Sequence, residues 1–216
     1  MKIIQNLVSP SKYNIKCPYP MTPEFIVVHN TANDAGARNE VAYMIRNNDK
    51  VSFHYAIDDK EIIQGIPENR NAWHAGDGSN GPGNRKGLSI EICYSKSGGK
   101  RFEEAERLAA KFIAYKLREK GWGIDKVKKH QDFSGKYCPH RTLDMGWQRF
   151  LDMVKSELDK LKGADKVTDK NTPSSWAKEA WEWAKKEGFL DGTRPRDSVT
   201  REELAVVLQR LVKKLG

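Results

Sequence analysis

Phe25-Ile-Val-Val-His29 is an apolar run that ends on an imidazole. Four consecutive apolar residues, two of them valines, read as a strand buried on both faces. Such strands belong to sheets covered by helices. The sequence on either side supports that reading. Residues 38–47 place Val41, Met44 and Ile45 at helical spacing. Val51, Phe53, Tyr55 and Ile57 alternate, and Glu61–Ile66 is positioned to pair with them across Asp58-Asp59-Lys60 as a hairpin. Gly87–Tyr94 is a further strand, with Leu88, Ile90 and Ile92 pointing one way and Ser89, Glu91 and Cys93 the other.

A long helix is predicted over Glu103–Lys120, with Leu108, Phe112, Tyr115 and Leu117 near one face and Gly121 stopping it. Val127–His130 reads as a short strand. Gly146–Leu161 reads as a last helix that buries Phe150, Leu151, Val154, Leu158 and Leu161. Strands alternating with helices imply an α/β domain with a central mixed sheet flanked by helices. This domain covers residues 1–162.

Residues 163–172 are polar and without periodicity, and are predicted to be a linker. Residues 173–216 form a small helical module. Its first helix carries Trp176, Ala180 and Trp183 on one stripe and ends at Gly188. Asp191-Gly-Thr-Arg-Pro195 is a turn. Thr200 and Glu203 make a capping box for a second helix expected to bury Leu204, Val207, Leu208 and Leu211.

The chain has 216 residues, enough for a core and an appendage. No apolar stretch approaches the length of a membrane span. The start Met1-Lys-Ile-Ile-Gln-Asn6 lacks the apolar region of a secretory leader. The expectation is a protein made in the cytoplasm that reaches an external target only after release. The three cysteines, Cys17, Cys93 and Cys138, are an odd number and argue against a disulfide framework. Net charge is +9, of which +7 falls in residues 1–162, favouring polyanions such as wall polymers. No pattern for specific nucleic-acid recognition stands out.

His29, His130 and Cys138 offer two imidazoles and a thiolate. Three protein ligands suit a catalytic zinc, because a fourth position stays open for water. Lys136, two residues before Cys138, lies on the same side of an extended loop, where its ammonium can stabilise an oxyanion. Glu91, flanked by Ile90 and Ile92, is a carboxylate placed to move a proton. Trp73-His74-Ala75-Gly76, with the Gly/Asn-rich stretch to Asn84, offers an aromatic face and close backbone approach to a substrate.

Together these segments resemble the type 2 family of zinc-dependent N-acetylmuramoyl-L-alanine amidases. That family shares its fold with phage lysozyme-type amidases and animal peptidoglycan recognition proteins. The matching pieces are Phe25-Ile-Val-Val-His-Asn-Thr31, Phe53-His-Tyr-Ala-Ile57, Ala72-Trp-His-Ala-Gly76, Leu88-Ser-Ile-Glu-Ile92, and His130 through Lys136 to Cys138. The resemblance implies one zinc ion on His29, His130 and Cys138, Glu91 as general base and Lys136 as oxyanion stabiliser. Substrate contacts are expected at Asn30, Trp73 and His74, with His74 alternatively supporting a site residue from behind. Some relatives carry a catalytic Tyr where this chain has Phe53, which raises the weight on Glu91. The implied substrate is bacterial peptidoglycan, cut between N-acetylmuramic acid and L-alanine, as by a phage or prophage endolysin. The competing reading is a non-catalytic recognition protein on the same fold. Residues 173–216 resemble a single S-layer-homology motif, which suggests an anionic wall polymer as partner, or a homodimer through this module.

Overall fold

The computed structural model describes residues 1–168, 172–193, 195 and 197–215, with the side chains of 164–168, Ser175 and Leu215 left out. These residues divide into two compact units, Met1–Leu161 and Lys162–Gly216.

In the first unit the chain runs through β1 (Ile4–Gln5), α1 (Tyr13–Lys16), β2 (Phe25–Asn30), α2 (Ala37–Arg46), β3 (Tyr55–Ile57), β4 (Ile62–Gln64), α3 (Pro82–Lys86) and β5 (Gly87–Ile92). It continues through α4 (Gly99–Glu119), β6 (Val127–Lys129), α5 (Gln131–Ser134), α6 (His140–Asp144) and α7 (Trp147–Thr168). The strands form one mixed sheet in the order β1-β4-β3-β5-β2-β6. Only β3 and β4 run antiparallel, as the predicted hairpin, pairing Tyr55 with Gln64 and Ile57 with Ile62. All the other neighbouring pairs are parallel.

β2 lies between β5 and β6, which is why Ile26, Val27 and Val28 are fully buried and the run has no polar face. Val28, Ile90 and Tyr55 form one row across the sheet. Tyr55 packs against Phe112 of α4, ring centroids 4.7 Å apart. The neighbouring row, His29, Glu91 and Ala56, points to the opposite face by the pleat.

Several elements differ from expectation. The hairpin strand begins at Tyr55 rather than Val51, and Val51 is exposed because the segment before Tyr55 leaves the ladder. α4 starts at Gly99, four residues early. Its buried face is lined by small alanines (Ala105, Ala109, Ala110, Ala114) along with Phe102, Phe112 and Ile113, while Tyr115 turns outward. α7 runs through Thr168, so 163–168 are helical rather than linker; Ala164, Asp165 and Lys166 do nothing to break a helix already under way. Residues 169–171 of that expected linker lie outside the described residues.

In the second unit, α8 (Lys178–Lys186) and α9 (Arg201–Leu215) flank Phe189, which is buried. Gly188, at φ +75°, follows α8 where the sequence places its end. The capping box forms as expected: Thr200 Oγ1 accepts from the Glu203 amide at 3.1 Å, and Glu203 Oε2 accepts from the Thr200 amide at 2.8 Å. Thr193 N–H donates to Asp191 Oδ1 in the expected turn, whose Arg194 lies outside the described residues. The burial expected on α9 forms only in part, with Val207 and Leu211 half-buried. Leu204 and Leu208 are 47% and 52% exposed, and Trp176 is 88% exposed. A unit this small has little interior to offer them.

Candidate active site

β5, β2 and β6 are parallel neighbours and deliver their residues to the same edge. His29 lies in register with Glu91. His130 follows β6 directly, its amide donating to the Val28 carbonyl at 3.3 Å. Cys138 arrives on the segment between α5 and α6, fixed by a Gln131 amide bonded to its carbonyl at 3.0 Å. One ligand atom each from His29, His130 and Cys138 lies within 4.8 Å of the others, and all three residues are buried.

His29 Nδ1 stands 3.8 Å from Cys138 Sγ. A tetrahedral zinc bound about 2.0 Å from nitrogen and about 2.3 Å from sulfur holds such atoms about 3.6 Å apart. His130 Nδ1 is buried without a hydrogen-bond partner, the kind of orphan a bound ligand satisfies. On donor type, spacing and burial, this trio fits a zinc ion.

Burial first, then the charges of His74, His130 and Lys136, hold the His29 imidazole well below its usual range. Burial and Lys136 lower His130 as well. Burial, reinforced by Glu91, pushes the Cys138 thiol up to about 11 against the opposing Asn30 amide and Lys136. Glu91 lies with Oε1 4.0 Å from His29 Nδ1, and its Oε2 is buried without a partner. Burial and the nearby Glu40 carboxylate raise Glu91 to about 8, with Lys136 opposing. Burial disfavours the charged form of each of these groups, as a low-dielectric pocket does.

The trio, Glu91 and Lys136 open into a cavity of about 1500 Å³ whose walls include Trp73, Tyr43, Arg46 and Lys50. Small-molecule sites are typically about 300–1,000 Å³. This cleft accommodates a longer substrate.

Residues 19–141 match the family described as N-acetylmuramoyl-L-alanine amidase. The chain belongs to that amidase family. It is 60% identical over 164 residues to the N-acetylmuramoyl-L-alanine amidase CwlA of Bacillus subtilis (strain 168), a match covering 76% of this chain and 60% of CwlA. The chain thus spans less than two thirds of that relative's length. Its fold is similar to the structure of PlyL, with a TM-score of 0.69, 56% identity, and coverage of 71% of this chain and 97% of PlyL. A mutant endolysin from Bacillus subtilis is similar as well, with a TM-score of 0.65, 38% identity, and coverage of 71% of this chain and 99% of that one.

Within this amidase fold the residues named from sequence separate into groups. His29, His130, Cys138 and Glu91 converge. Lys136 lines the same cavity, but not on an extended loop: Cys138 N–H donates to the Lys136 carbonyl at 2.7 Å, closing a tight turn. Trp73 lines the cavity with its indole N–H held by the Ile15 carbonyl at 2.9 Å.

Asn30 lines the cavity, and its side chain also has a structural task. Its Oδ1 accepts from the Arg141 and Thr142 amides at 3.0 and 3.2 Å, and its Nδ2 donates to the His29 carbonyl. That side chain is spent in tying the end of β2 to the first turn of α6. His74 lines the cavity and is buried against His29.

The sequence reading missed Asn84, which organises the loop before α3. Its Oδ1 accepts from the His74 and Ala75 amides, both at 2.8 Å. The Gly/Asn-rich composition reads as a flexible substrate loop, and no motif marks one Asn as its anchor. Gly76 of that loop has φ +69°, and a Cβ there would lie 3.0 Å from Ser134 Oγ and 3.5 Å from His130 Nε2. Both the conformation and the space demand glycine.

Proposed function

We propose that this chain is a zinc-dependent N-acetylmuramoyl-L-alanine amidase of the endolysin type. It hydrolyses the amide between the lactyl group of N-acetylmuramic acid and L-alanine of the peptidoglycan stem. The observation that carries this reading is the convergence of His29, His130 and Cys138 beside Glu91, at the floor of a long cleft in an amidase-family fold.

His29, His130 and Cys138 would hold the zinc, which when bound supplies a Lewis acid for the scissile carbonyl and makes water a nucleophile near neutral pH. Glu91, on the strand beside His29, takes the proton that water loses as its oxygen bonds to the carbonyl carbon. It then gives that proton to the departing L-alanine nitrogen as the C–N bond breaks. Its apolar surroundings suit both halves of the task. The Lys136 ammonium balances the negative charge that builds on the carbonyl oxygen. Trp73, fixed by Ile15, offers a wall for a sugar ring.

Residues 173–216 are assigned to attachment at the wall. Trp176 and Trp183, 88% and 55% exposed, support that assignment. The test is the chemistry of the products. Walls digested with the purified chain should yield new L-alanine amino termini and no new reducing sugar ends. New amines on another residue, new reducing ends, or no soluble product would refute the amidase reading.

A further inference from the structure

His29 has two ring nitrogens and the fold separates their tasks. Nδ1 faces Cys138 Sγ at 3.8 Å and Glu91 Oε1 at 4.0 Å. Nε2 faces away, 2.9 Å from Nδ1 of His74. The two rings stand nearly perpendicular, at 85°, with centroids 5.0 Å apart. This edge-on approach aims the N–H of one ring at the lone pair of the other.

We propose that His74 is a positioning residue: it accepts the His29 Nε2–H, so that His29 presents an unprotonated Nδ1 to the metal. The proposal rests on the metal reading above. An imidazole that gives one lone pair to a cation carries its proton on the other nitrogen, and a buried N–H needs an acceptor. His74 Nδ1 is the acceptor the structure supplies. It follows that neutral His74 keeps its own proton on Nε2, which points toward the Gly83 and Gly87 backbone without closing a full hydrogen bond.

The surroundings of His74 favour a fixed support. It is 9% exposed and packed edge-on against His29. It does not feed a proton path through His54, whose ring lies 6.4 Å away. The His54 nitrogens are occupied by the Ser89 amide at 3.0 Å and the Arg70 carbonyl at 2.9 Å. The loop bearing His74 is itself pinned. Asn84 Oδ1 holds the His74 and Ala75 amides, and Asp77 holds the Gly83 amide at 2.6 Å and the Asn84 amide at 3.2 Å. The Ala75 backbone also faces the His130 ring. One anchored loop thus supports both imidazole ligands.

The experiment titrates metal-stripped full-length chain with zinc against a chromophoric chelator. His74→Leu fills the space but removes the acceptor. His74→Asn puts an amide oxygen where Nδ1 stood. The expected result is a loss of about 10–100-fold in zinc affinity for His74→Leu and near-complete rescue, within about threefold of wild type, for His74→Asn. His74→Gln, whose oxygen reaches past that point, should lose affinity like His74→Leu and replaces it if His74→Leu does not fold. Wild-type affinity in both His74→Leu and His74→Gln would overturn the proposal, as would a loss in His74→Asn equal to theirs. A wild-type chain that binds no zinc would overturn the metal reading itself, and is told apart by its own isotherm.

Discussion

Arg149 Nη2 lies 2.6 Å from Glu106 Oε2, joining α7 to α4 through a carboxylate that is 1% exposed. The other oxygen, Oε1, has no hydrogen-bond partner. Removing the arginine therefore leaves a buried carboxylate unsatisfied. Breaking a buried pair on one side costs about 3–5 kcal/mol. Arg149 is partly exposed, so Arg149→Met should destabilise by less than that range, about 2–3 kcal/mol. Urea unfolding measures it, and the double variant Arg149→Met, Glu106→Gln should recover part of the loss.

Glu68 gives a pH-dependent counterpart on β1's side of the sheet. Burial alone raises its carboxyl, but hydrogen bonds from Lys116, Tyr55 and Lys120 outweigh burial and hold it at about 2. The folded value lies below the unfolded one, so its stabilisation is complete above about pH 5 and is lost as pH falls toward the folded value. Glu68→Gln should cost about 2 kcal/mol at neutral pH, discounting for its partial exposure. The gap between variant and wild type should close in urea melts near that acid limit.

Chelation should abolish wall hydrolysis, and zinc should restore it. Binding only to the folded state also adds stability, about 2.7 kcal/mol at a hundredfold excess over the dissociation constant. Calorimetric melts with and without zinc read both effects in one preparation. Cys138→Ala should show neither.

Glu91→Gln keeps the shape of the side chain and removes its basicity. It should bind zinc at near-wild-type affinity while turnover on a soluble muropeptide falls about 10²–10⁴-fold. Undiminished turnover would take Glu91 out of the proton transfers.

Deleting residues 163–216 trims α7 just beyond Leu161, which is packed on the core. The truncated chain should keep most of its rate on small muropeptides and lose more of its lysis of intact walls. Equal losses on both would make the second unit a support for the fold.

The sheet was legible because β2 is buried on both faces and its first four residues, Phe25–Val28, are all apolar. His29, Glu91 and His130 were legible because each falls at or just beyond the end of a strand announced by a short apolar run, whereas Lys136 and Cys138 lie on the segment between α5 and α6. What escaped was set by tertiary context. Asn30 sits beside His29 in sequence, yet its amide serves the first turn of α6, more than a hundred residues away. Alanines on α4 carry too little apolar weight to mark a buried face, so the larger Tyr115 drew the reading off by one position. The apolar stripe of α9 has helical spacing, but spacing reports which side is apolar and not whether anything covers it.

His29, Glu91 and His130 sit at the stiff ends of three adjoining parallel strands, whereas much of the cleft rim is irregular backbone, with Ala32 and Asn33 on one segment and Asp49, Lys50 and Val51 on another. The rim and the cluster are therefore carried by mechanically separate parts, so rim segments can change in sequence or length while the strand-end residues stay clamped in the sheet.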